Sequence, residues 1–140
     1  MKSDLKNDFL ESIQKSLNCT HDKKWKGHNN VFELFFPHKG IVNIYVLISG
    51  TITSFGWGIK LSQIDKLKKE EEDEKKQWFL FLLSHNKRYC LSPADFIDFR
   101  NKYHPKNSQG CYKIWRKTAE PYLKKHEDHN FEKLKEKINL

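Results

Sequence analysis

The chain has 140 residues, 37% apolar and 31% charged, with 26 lysines and arginines against 18 aspartates and glutamates, a formal net charge of +8. That length makes about one domain with a real core, and ten Phe, five Tyr and four Trp exclude a disordered polyelectrolyte. No apolar run nears the ~20 residues of a membrane span. Met1 to Leu17 has no signal-peptide core, so a soluble, cytoplasmic protein with no membrane partner is expected.

The first predicted element is a helix over Ser3 to Leu17, where Leu5, Phe9, Leu10, Ile13 and Leu17 form one stripe. A polar loop, Asn18 to Asn30, follows. Val31 to Phe36 reads as a strand stopped by Pro37, with His38-Lys39-Gly40 as the turn. Ile41 to Ser49 is apolar almost throughout, which predicts a central strand buried on both faces. Thr51 to Leu61 reads as a third strand in which Gly56 and Gly58 mark a bulge or a close backbone approach.

Ser62 is the expected cap of a second helix, with Asp65 three residues on. The charged run Lys68 to Lys76 reads as its solvated end, because adjacent acids on a helix diverge. Trp78 to Leu83 is a buried strand and Lys87 to Leu91 its hairpin partner across Ser84-His85-Asn86. Ser92-Pro93-Ala94-Asp95 starts a helix to about Tyr103, stopped by His104-Pro105. Asn107 to Gly110 is a loop and Cys111 to Arg116 a short strand. Pro121 and the charged stretch Lys124 to His129 lead to a last helix from Asn130.

The predicted order is helix, three strands, helix, two strands, helix, strand, helix. It implies a single α+β domain with a central mixed sheet and helices packed on it. Residues 1–18 are its N-terminal helix, 31–91 the sheet core and 92–140 a basic C-terminal part. That part draws attention, since Arg100 to Leu140 holds eleven basic and five acidic residues. Most of the excess positive charge thus lies in the last third of the chain, and such a field attracts polyanions, nucleic acid foremost.

Enzyme signatures are sparse. The three cysteines, 19, 90 and 111, form no Cys-x-x-Cys pair, and the seven histidines have no zinc spacing, so no metal held by Cys and His is expected. There is no Gly-x-Ser-x-Gly and no phosphate loop; Phe55-Gly56-Trp57-Gly58 lacks the required Lys-Ser or third Gly.

The helix-β-β-β-helix-β order of residues 3 to 83 resembles the PD-(D/E)XK nuclease fold of restriction enzymes. The resemblance implies an acid near the second strand and an acid-x-lysine on the third, together holding magnesium. On the predicted strands Asn43 stands in the first place and Gly58-Ile59-Lys60 in the second, so only Lys60 matches. Magnesium needs oxygen ligands, usually carboxylates. An Asn and a Gly do not supply the charge that activates water, so such a chain binds rather than cuts, with no cofactor. The alternative is a magnesium nuclease with an altered site of Asn43, Lys60 and Glu33, or with Asp65 as a ligand.

The binding reading uses rings among cations, which stack on bases and contact phosphates respectively. The candidates are Lys24, Trp25 and Lys26 in the polar loop; Trp57 and Lys60; Arg88; Arg100; and Lys113, Trp115, Arg116 and Lys117. The expected partner is DNA, in a protein of restriction-modification or anti-phage type. A third reading is a protein-interaction subunit, or an inhibitor from a mobile element, whose aromatics bind a protein partner.

Overall fold

A computed structural model describes residues 2–25, 28–37, 39–49, 56–103, 107–108 and 110–139. Its core is a five-stranded sheet of β1 (Thr20–Trp25), β2 (His28–Phe36), β3 (Gly40–Ile48), β5 (Trp78–Leu83) and β6 (Arg88–Leu91), adjacent in that order. Pairing is antiparallel except between β3 and β5, which run parallel with Asn43 opposite Trp78 and Ile48 opposite Leu83. A parallel pair needs a crossover; here it passes through β4 (Trp57–Lys60) and α2 (Leu61–Glu74). The domain is therefore α+β with a mixed central sheet, as its element order implies, and the helix, three-strand meander, helix and parallel strand behind the nuclease resemblance are present.

Helices cover both faces, which explains why β3 and β5 are apolar at nearly every position. Phe9, Leu10, Ile13 and Leu17 of α1 (Lys2–Leu17) pack with Phe131 and Leu134 of the C-terminal segment on one face, against Phe32, Leu34, Val42, Ile44, Val46, Phe79 and Phe81. On the other face, Val31, Tyr45, Leu47, Trp78, Leu80 and Leu82 meet α2, α3 (Pro93–Tyr103), α4 (Arg116–Leu123) and a second small sheet. That sheet pairs β4 with β8 (Cys111–Ile114) and β8 with β7 (Asn107–Ser108), all antiparallel.

Several expectations are corrected. The polar loop Asn18 to Asn30 contains β1, so the central sheet begins at Thr20 and not at residue 31. β1 is an edge strand whose Asp22 and Lys23 face solvent, and charged residues suit an edge that must not pair further. Of the third predicted strand, Trp57–Lys60 is a strand and joins the second sheet, while residues 51–55 lie outside the described residues. α2 starts at Leu61, one residue before the expected Ser62 cap, and its N-cap Lys60 makes no side-chain bond. Asn107–Ser108, expected in a loop, forms β7. A helix, α4, lies around Pro121, where an interior proline spoils the helical signal. The Ser92 cap does hold: the Ser92 N–H donates to Asp95 Oδ2 at 3.0 Å and the Asp95 N–H to Ser92 Oγ at 3.2 Å.

Two contacts fix the second sheet to the first. The Trp57 indole N–H donates to the Leu83 carbonyl at 2.8 Å, and the Lys60 N–H to Tyr45 Oη at 3.1 Å. Gly56 lets β4 approach the end of β8: a Cβ there would sit 1.3 Å from the Ile114 carbonyl oxygen. The C-terminal segment is fastened through Lys133, whose ammonium pairs with Asp95 and donates to His126 Nδ1 at 2.7 Å. Burial, with Lys133 beside the ring, holds His126 down to about 4.

Two outcomes are expected. Gly56→Ala forces backbone apart from backbone, so it yields aggregated protein or a large loss of thermal midpoint, readable by circular dichroism. As pH falls from the ordinary histidine value of 6.5 toward about 4, the unfolded chain takes up a proton that folded His126 refuses. Stability is thus present above that window and falls within it, and His126→Gln should flatten the fall of the urea midpoint.

Candidate nucleic-acid interface and an ion-pair cluster

Alternation along the second sheet sorts its side chains into two faces. Trp57, Ile59, Tyr112 and Ile114 point into the core, while Gly58, Lys60 and Lys113 are exposed, with Gly58 opposite Lys113 in register. Trp115, next after β8, is 48% exposed, against 2% for Trp57. Gly56, Trp57, Gly58, Lys113, Ile114 and Trp115 line a hollow of about 180 Å³ on this side. The outer face therefore carries Lys60, Lys113 and Trp115, and Lys113 and Trp115 line the hollow beside the glycine backbone, a surface able to receive a planar ring and a phosphate.

The remaining candidates are dispersed. Trp57 is a core residue: its N–H is bonded to Leu83 and its ring lies edge-on to Tyr89. Arg88 sits over the rings of Phe9 and Phe131, at 5.6 and 5.7 Å, and donates to Ser12 Oγ. Burial lowers its pKa, with Asp8 opposing. Arg100 lies 4.5 Å from the Tyr112 ring centre and bonds the Tyr112 hydroxyl. Lys117 is exposed on α4 but lines a different hollow, with Lys87, Tyr89, Glu120 and Glu127. Lys26 and the side chains of Trp25 and Arg116 lie outside the described residues.

Lys24 has another role, in a cluster that joins Glu33 and Asn43 of the alternative nuclease reading to Glu70. Counting β1 shifts the strand numbering by one. The second strand of the meander carries Glu33, and the third carries Asn43-Ile44-Tyr45 where the resemblance implies acid-x-lysine. Gly58-Ile59-Lys60 belongs to the other sheet, so Lys60 does not take the lysine position. Glu33 and Asn43 are cross-strand partners. Lys24, on β1, places its ammonium 3.2 Å from Glu33 Oε2 and 2.6 Å from Glu70 Oε1. Lys76 stands 3.8 and 3.7 Å from the same two carboxylates. Asn43, 0% exposed, directs its Nδ2 toward Glu70 Oε1 at 3.5 Å, while its Oδ1 has no hydrogen-bond partner among the described residues.

The charged run ending α2 is thus only partly a solvated end: Glu72, Asp73 and Glu74 are exposed, but Glu70 folds onto the sheet. Asp65 is exposed on α2 and is not part of the cluster. Burial disfavours the Lys24 ammonium, yet hydrogen bonds and charge from Glu70 and Glu33 outweigh it and raise its pKa. Lys76 also pairs with the more exposed Glu74 at 3.9 Å, so the two ammonium groups stand among three carboxylates. The nuclease resemblance groups Glu33 with Asn43, but Glu70 stands inside a run of identical chemistry, and nothing local distinguishes it from Glu71 or Glu72.

Among the described residues, no group of three or more His, Cys, Asp or Glu is placed to hold a metal ion, and no helix is long and apolar enough to cross a membrane. No protein-family model matches the chain, and no curated protein matches it. Among solved structures, it is similar to Hjc, a Holliday junction resolvase from the archaeal hyperthermophile Archaeoglobus fulgidus. That likeness covers 77% of this chain and 85% of Hjc, with 9% sequence identity and a TM-score of 0.49.

Proposed function

We propose that this chain binds nucleic acid through the outer face of its second sheet, with Lys60 and Lys113 on phosphates and Trp115 against a base. The observation that supports this reading most directly is the union of Lys60, Lys113 and the half-exposed Trp115 on one face beside the Gly56–Gly58 hollow. Cations there attract the backbone, and ring stacking is worth about 1–3 kcal/mol per base. The net charge of +8 strengthens the approach of a polyanion. DNA as the polymer, and a restriction-modification or anti-phage setting, rest on the resemblance in element order alone.

Magnesium-dependent cleavage is the competing reading. Its requirements are oxygen ligands free to take a divalent ion. Glu33, Glu70 and Asn43 would be the donors, but the Lys24 ammonium already stands between the two carboxylates. The residues present do not fit the metal, and binding without cleavage is the better reading.

Gel retardation of fluorescent single-stranded and duplex oligonucleotides in EDTA, at several salt concentrations, tests the proposal. Retardation should weaken steeply with salt, at about 0.9 in log–log slope per phosphate contacted. Trp115→Ala should weaken binding by about tenfold or more, given the stacking energy. Lys60→Glu and Lys113→Glu should each weaken binding and reduce the salt slope by about one to two contacts. Absence of retardation at low salt, or full affinity in Lys60→Glu/Lys113→Glu, overturns the reading.

A further inference from the structure

We infer that the Lys24 ammonium is a built-in counter-cation, taking the place that a divalent metal ion would hold between Glu33 and Glu70. The inference concerns the ion-pair cluster itself and does not depend on the nucleic-acid reading.

Three observations carry it. The donor set is hard and oxygen-rich: one carboxylate from β2, one from α2 and the carboxamide of Asn43 from β3 converge from three separate elements. Such a set suits magnesium, manganese or calcium. Secondly, a cation already sits in it: the Lys24 nitrogen contacts both carboxylates, and its side chain is 9% exposed. Thirdly, Asn43 Oδ1 is buried without a hydrogen-bond donor among the described residues. Buried acceptors are rarely left so. With the Lys24 ammonium in place the carboxamide turns its Nδ2 to Glu70 and leaves Oδ1 unserved; half a turn of the amide would exchange the two atoms and offer Oδ1 to a metal ion beside Glu70.

Two adjacent, mostly buried carboxylates repel one another unless a cation lies between them. A metal ion does this only when it is bound; Lys24 does it whenever the chain is folded. Lys24 therefore joins β1 to β2 and α2 through these two carboxylates without a metal. Lys76 adds a second ammonium 3.7–3.8 Å from the same carboxylates, and lowers the affinity for a dication further.

The test is metal titration of the full chain without nucleic acid, using Mn²⁺ followed by electron paramagnetic resonance and by thermal unfolding. The wild type should bind no Mn²⁺ in the low-millimolar range, and its melting temperature should be the same in EDTA and in Mn²⁺. Lys24→Met removes the resident cation and keeps the apolar stem. It should melt lower in EDTA, bind one Mn²⁺ and recover several degrees on adding it, as a ligand that prefers the folded state must do. Lys24→Met/Glu70→Gln should lose that rescue.

Mn²⁺ stabilising the wild type, with the effect lost in Glu70→Gln, would overturn the inference by showing that metal and ammonium coexist. A folded Lys24→Met indifferent to Mn²⁺ would overturn it too, since no latent oxygen site would then exist. If Lys24→Met does not fold in EDTA, folding rescued by Mn²⁺ supports the inference, and failure of rescue in both Lys24→Met and Lys24→Gln counts against it. Failure of the gel-retardation experiment leaves all these outcomes unchanged, so the two ideas fall separately.

Discussion

Burial of the β3–β5 pair on both faces is the constraint from which the arrangement follows. A parallel pair in the middle of a sheet must be apolar above and below. β3 obeys at Val42, Ile44, Tyr45, Val46 and Leu47, and breaks the rule at Asn43, which is wholly buried. A buried carboxamide needs partners that its own strand does not supply. Glu70 reaches it from α2, Glu33 stands opposite on β2, and Lys24 and Lys76 then balance the two carboxylates. The ion pairs on this side of the sheet thus lie beside one buried carboxamide.

The same face of the sheet positions the proposed interface. Tyr45, two residues beyond Asn43, accepts the Lys60 N–H, and Leu83 at the end of β5 accepts the Trp57 indole N–H. These two bonds seat β4, and Gly56 lets it run against the end of β8. With β4 and β8 seated, strand alternation decides which residues reach solvent. Trp57 turns inward to Tyr89 while Lys60, Lys113 and Trp115 face out.

Several arginines and lysines in this chain serve packing. Arg88 lies over Phe9 and Phe131 beside α1, Arg100 lies over Tyr112, and Lys133 joins His126 to Asp95. Cations over ring faces, and cations in buried pairs, have given up much of their hydration already. Net charge alone therefore overstates the positive surface that solvent reaches, and the proposed interface rests on the exposed lysines of the second sheet rather than on the total.

Local chemistry in the sequence determined the strongest elements. The unbroken apolar runs of β3 and β5 revealed strands covered on both sides, Ser92-Pro93-Ala94-Asp95 announced α3 through its cap, and the stripe Phe9, Leu10, Ile13, Leu17 fixed the buried side of α1. Tertiary structure alone decided the rest. β1 is a strand because β2 offers it a ladder of hydrogen bonds, while its residues Thr20 to Trp25 have no apolar signal. That one strand moved the meander's second and third positions to Glu33 and Asn43-Ile44-Tyr45. Glu70 differs from its acidic neighbours, and Trp115 from Trp57, only through what lies across from each. Such differences arise from residues far away along the chain, where sequence spacing and composition have no reach.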